Sequence, residues 1–154
     1  MTYLWIFFVI AVALAPLSHF VPSKRQRKVA RMREYAAVHG LFVEFRQLPG
    51  NDGARAAASA GGRGQSDTIY YGKRLPPPRE KRVPALAWIC DQQQWRGLDR
   101  HTPVPPQLVS LPDEVLAAGA DESSCGVYWR EAGDEAGVEQ IRLVLEAWSQ
   151  DLRP

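Results

Sequence analysis

The stretch from Tyr3 to Val21, YLWIFFVIAVALAPLSHFV, constrains the chain most, because it holds no charged side chain over nineteen residues. At ~1.5 Å rise per residue such a run would make a helix of roughly 28 Å, close to the thickness of a bilayer's hydrocarbon core. It therefore predicts a retained transmembrane anchor over residues 1–22. The competing signal-peptide reading has a small-x-small site at Ala13–Ala15 but lacks a basic start, and Pro16 would follow the cut. Pro16 removes one backbone donor, so a kink is expected there. Tyr3 and Trp5 suit an interfacial aromatic anchor.

Immediately after this run come Lys24, Arg25, Arg27, Lys28, Arg31 and Arg33 against one acid, Glu34. Positive residues are retained on the cytoplasmic side, so the expectation is a single-pass inner (plasma) membrane protein with its amino terminus outside and residues 22–154 inside. Ser23 is a good N-cap for a basic juxtamembrane helix over residues 23–40, with Val29, Met32, Ala36 and His39 on one face and Gly40 as its stop. The six cations would lie at the membrane surface against anionic lipid headgroups, each contributing about 1 kcal/mol. A nucleic-acid role for them is disfavoured, since no stacking surface or reading module accompanies them.

The remaining length supports one modest domain, residues 41–154, expected to be cytoplasmic and α+β. Its sheet should be small and mainly antiparallel, built from segments 41–48, 68–72, 83–90 and 125–131, each alternating or rich in β-branched and aromatic residues. Residues 49–66, PGNDGARAAASAGGRGQS, lack large apolar side chains and read as a flexible loop, without the lysine and spacing of a phosphate-binding loop. Asp91–Gly97 reads as a turn leading to an exposed Trp95, the candidate partner anchor. Prolines 103, 105, 106 and 112 keep the next segment extended. Pro112–Asp113–Glu114 should open a short helix through Ala118 that Gly119 ends. From Asp134 to Leu152, Val138, Ile141, Leu145, Trp148 and Leu152 recur at helical spacing, with Val144 widening the stripe, so this helix should pack on the sheet.

Net charge is +2, but residues 1–100 hold 16 Lys/Arg against 7 Asp/Glu and residues 101–154 hold 3 against 10. This asymmetry can steer a partner or bind the two halves together. Cys90 and Cys125 have no close-spaced partner and read as buried strand residues.

The SKRQRKVARMRE and GLFVEFRQLP stretches, with the later LPDE and GVYWREAGDEAGVEQI, resemble a family of uncharacterised proteobacterial single-span inner-membrane proteins. The resemblance implies an inner-membrane placement and brings no activity, cofactor or catalytic residue. The residues themselves agree: His19, His39 and His101 have no metal-ligand spacing, and no serine sits in a nucleophile elbow. The cluster Arg130, Glu131, Asp134 and Glu135 fits helix capping better than acid/base work. The expectation is a non-catalytic, membrane-anchored interaction or accessory domain on the cytoplasmic face, without cofactor or metal, whose partner is a protein of an envelope complex. The alternative is a sensor of anionic lipid acting through the basic helix.

Overall fold

A computed structural model describes residues 2–14, 22–50, 68–77 and 85–152. The chain divides into two compact units, residues 1–30 and 31–154. The expected loop at 49–66 falls outside the described residues except for Pro49 and Gly50, as do Pro16, His19 and Val83–Pro84.

In the first unit, α1 spans Thr2–Leu14. Its thirteen residues rise only ~20 Å, short of the ~30 Å hydrocarbon core. No helix among the described residues is long and apolar enough to cross a membrane. This overturns the placement as a single-pass inner-membrane protein with its domain on the cytoplasmic side. Tyr3 to Ile10 are all exposed, between 48% and 81%. The start of α2 (Lys24–Val38) also belongs here. Ser23 caps it: its hydroxyl accepts the Gln26 N–H at 3.2 Å, and the Gln26 side chain accepts the Ser23 N–H at 2.8 Å. This reciprocal pair satisfies two of the donors a helix start leaves open.

In the second unit α2 ends as Gly40 anticipates. Gly40 has φ +80°, Leu41 N–H donates to Ala36 O, and Gly40 N–H donates to Ala37 O. Those two bonds close a Schellman cap. Met32 and Ala36 are fully buried, Leu41 nearly so, while His39 stays exposed.

A six-stranded antiparallel sheet follows in the order β1-β2-β6-β5-β3-β4. Its strands are β1 (Phe42–Glu44), β2 (Ile69–Arg74), β3 (Leu86–Asp91), β4 (Gln94–Gly97), β5 (Val115–Ala120) and β6 (Ser124–Trp129). The C-terminal helix, α3 (Glu135–Asp151), begins where Asp134 accepts the Gly137 N–H. The fold is α+β, as expected, with two strands more than the sequence reading supplied. The expected 41–48 strand is paired over only three residues, and residues 113–118 are no helix: Val115–Ala120 is an interior strand between β3 and β6. Flanking ladders on both sides outweigh the helix propensity of Ala117 and Ala118. A register shift between Val115 and Ala117 admits one extra residue there.

One face of the sheet carries Tyr71, Val127, Ala118 and Trp88 in register, and α3 covers it. Val138, Ile141, Leu145 and Trp148 are buried beneath α3, with the Trp148 ring edge-on to Trp88 at 5.4 Å. Cys125 lies on this face, and burial pushes its thiol up to about 12. The other face carries Tyr70, Tyr128, Ala117 and Ile89, then Gly72, Gly126, Gly119 and Ala87. The Tyr70 ring lies on Gly126, where an added Cβ would meet it at 2.4 Å. The segment 45–50 crosses this face as a strap. Its Arg46 guanidinium sits 4.1 Å above the Tyr70 ring, Leu48 packs on Tyr70, Ala117 and Tyr128, and Gly50 approaches Leu98.

Candidate interaction surface

The residues singled out from sequence meet different fates. Lys24, Arg25, Arg27, Lys28 and Arg31 are exposed along α2. Arg27 donates to the Pro22 carbonyl at 3.1 Å. Arg33 makes a two-point pair with Glu131, at 2.8 and 2.7 Å, and Glu131 also accepts the Tyr71 hydroxyl at 2.8 Å. The hydrogen bond from Arg33 to Glu131, outweighing partial burial, pushes the Arg33 guanidinium up. Arg33 is thus a tie between α2 and the end of β6, and Glu131 is engaged there in a left-handed backbone turn (φ +50°). Met32 and Ala36, the apolar side of α2, are spent on the domain core. They are not available to an in-plane helix at a lipid surface.

Trp95 is half-buried on β4 instead of exposed in a turn. The turn itself is Gln92–Gln93, both with positive φ (48° and 65°), the two-residue geometry that follows the twist of a hairpin. Asn-Gly is the usual signature of that turn, so Gln-Gln concealed the fourth strand. Among the described residues β4 is an edge, bonded only to β3.

The backbone of β4 can be read from one bond. Leu98 N–H donates to Ala87 O at 2.8 Å, which makes Ala87–Leu98 a hydrogen-bonded pair. Such pairs alternate, so Ile89–Arg96 is another, and the N–H and C=O of Trp95 turn away from β3. Among the described residues nothing accepts or donates to them.

Beside β4 lies a cleft of about 600 Å³ lined by Ile89, Arg96, Gly97, Leu98, Arg100, Thr102, Pro103 and Val104. Its outer wall is pinned: Trp88 Nε1 donates to Pro103 O at 3.0 Å, and Thr102 N–H donates to Asp99 O at 3.1 Å. Gly97 permits this close return, since a Cβ there would lie 2.7 Å from Asp99 O. Nothing in the spacing of residues 96–104 signalled the cleft; it exists because the chain folds back on β4. A smaller cavity of about 170 Å³ lies under the strap by Phe45 and Leu48. Among the described residues no group of three His, Cys, Asp or Glu side chains could hold a metal ion.

No family model matches the chain, and no curated protein matches it. The resemblance of its two ends to single-span proteins therefore rests on the residues quoted for it. Among solved structures, the crystal structure of the mycobacterial trehalose monomycolate transport factor A, TtfA, is similar at a TM-score of 0.46 and 10% identity. The match covers 81% of this chain and 94% of that one, and carries no argument about function.

Proposed function

We propose that the chain is a non-catalytic interaction domain that receives a partner protein as an added strand along β4. The observation behind this reading is the outward-turned N–H and C=O of Trp95 on an edge strand, beside its half-buried indole. Strand addition supplies main-chain hydrogen bonds, and an aromatic at the edge supplies contact area. The other large apolar surfaces of the domain are already covered, one by α3 and one by the strap.

A photo-cross-linking residue at Gln94 should capture a discrete partner in the cells that make the protein, and the same residue at Leu143, exposed on α3, should not. Trp95→Pro removes the outward N–H without touching a bond to β3, and should abolish the adduct. Identical adducts from both positions, or an adduct unaffected by the proline, would count against the reading.

A second reading has its own support. Lys24, Arg25, Arg27 and Lys28 are all exposed and follow the exposed apolar side chains of α1, which suits attraction to anionic lipid headgroups. Because Met32 and Ala36 are buried in the domain, the contribution of α2 to such contact is electrostatic. The full chain should therefore prefer anionic over neutral vesicles at low salt, and lose the preference where the Debye length shrinks to ~3 Å. Equal uptake by both vesicle types would eliminate the lipid reading.

A further inference from the structure

Resting on the strand-addition reading, we propose that the strand received by β4 is the β4 of a second copy of this chain, the two lying antiparallel about a two-fold axis at Trp95. The outward N–H and C=O of Trp95 are a donor and an acceptor on one residue. Across such an axis each Trp95 donates to the carbonyl of the other, so the open groups of both copies are satisfied at once. The two indoles then stand opposite each other on the face that carries Cys90, where a cross-strand aromatic pair is favourable.

The length of β4 favours this occupant. Gln92 and Gln93 turn the chain away at one end, and at the other Asp99 O lies only 2.7 Å from where a Cβ on Gly97 would stand. With Trp95 against Trp95, the second copy's Gln93 falls opposite Gly97. Its chain leaves the edge there, where a longer strand would run on into residues 99–102. Charge favours the register. On the other face of the sheet Ile89 pairs with Arg96 and Asp91 with Gln94. The two-fold axis joins these pairs into one row, Ile89 and Arg96 followed by the second copy's Gln94 and Asp91, so a cation faces an amide with a carboxylate behind it. An axis moved one residue to Arg96 would set two arginines directly opposite each other, which like charges disfavour. Arg96 is already engaged within its own chain, so the row selects the register and the Trp95 pair holds the copies together.

The test uses the full chain in non-ionic detergent. In the expected register position 94 of one copy and position 96 of the other form a non-hydrogen-bonded pair, whose Cα atoms lie ~4.5 Å apart, within disulfide range. Gln94→Cys and Arg96→Cys chains, mixed and mildly oxidised, should therefore give a dimer joined between those positions, identified by mass spectrometry of its digest. Neither variant alone should form a bond there. In sedimentation equilibrium at low salt, Gln94→Glu should dimerise at least about tenfold more tightly than Gln94→Lys, since each substitution faces Arg96 twice across the axis. Gln94 is exposed, so neither change threatens the fold. Trp95→Pro should leave monomers.

A disulfide from Arg96→Cys alone would overturn the pairing at Trp95, as would equal dimerisation of the two Gln94 variants. A dimer indifferent to Trp95→Pro, with no bond in the cysteine mixture, would show the copies meeting elsewhere and overturn it too. A monomeric chain whose Gln94 cross-links only to a different protein, in an adduct that Trp95→Pro abolishes, would remove the second copy and leave strand addition standing. A monomeric chain with no Gln94 adduct to any protein would sink both.

Discussion

The face of the sheet beneath α3 and the face beneath the 45–50 strap enclose the same six strands by different means. Under α3, large side chains from both layers interlock: Trp88, Trp129, Val127 and Tyr71 from the sheet, Val138, Ile141, Leu145 and Trp148 from the helix. Under the strap, Gly72 and Gly126 lower the surface of the sheet so that Tyr70 can lie along it, and a single arginine and a single leucine close the layer. The first face depends on apolar area and the second on fit. Substitutions should therefore fail in different ways on the two sides.

The largest effect is expected under α3. Ile141→Asp places an unpaired charge at a fully buried position, which should cost about 4 kcal/mol or more and leave the domain unfolded in a urea titration. Gln140→Asp, one residue away, gives up only the bond from its amide to Ser110 O and should cost less than about 1 kcal/mol. Similar small losses from both would mean that α3 does not depend on its buried stripe.

On the strap face the next effect is steric. Gly126→Ala brings a Cβ within 2.4 Å of the Tyr70 ring and 2.5 Å of the Tyr71 carbonyl oxygen, and backbone cannot step aside as a side chain can. A loss of about 2–3 kcal/mol is expected. Gly119→Ala, whose Cβ would meet nothing nearer than 3.6 Å, should change stability by less than about 0.5 kcal/mol. If the two alanines behave alike, fit is not what holds that face. Leu48→Ala should follow at about 1–2 kcal/mol, because the side chain is only partly buried over Tyr70, Ala117 and Tyr128.

The smallest effect concerns the solvent side of the helix layer. Glu139 accepts two bonds from Arg142 and one from the Tyr35 hydroxyl, tying α3 to α2. The Arg142 bonds foremost hold its carboxyl down at about 2, against an ordinary 4.5. A depressed folded value means the carboxylate stabilises the fold above pH 4.5, and this contribution is lost as pH falls through about 2. Urea midpoints measured across that window should fall more steeply for the wild type than for Glu139→Gln. Parallel profiles would show that the contact is screened to insignificance.

Legibility in the sequence followed the same division. The α3 layer was readable because its stripe repeats at helical spacing and its strands 68–72 and 125–131 alternate or carry β-branched and aromatic residues. The strap face was not, since glycine and alanine carry no periodic signal: VLAAGA reads as helix by propensity and becomes β5 only because β3 and β6 lie on either side. The hairpin at Gln92–Gln93 lacked its usual residues, which left Trp95 in a turn. The cations from Lys24 to Arg31 were found where expected on α2, but Arg33, indistinguishable from them in composition, pairs with a residue 98 positions away. Separation of that size leaves no local mark.

The shortness of β4 has a bearing on self-association. A long, flat, open edge would pair with copies of itself and propagate into fibrils. Here the turn at Gln92–Gln93 closes one end of a four-residue strand, and the return of residues 99–102 over Gly97 crowds the other. Between them the edge offers little more than the outward pair on Trp95. One added strand would be held in one register, but too few backbone groups are left open for chain after chain to stack, so the edge proposed to take a partner is also too small to seed an aggregate.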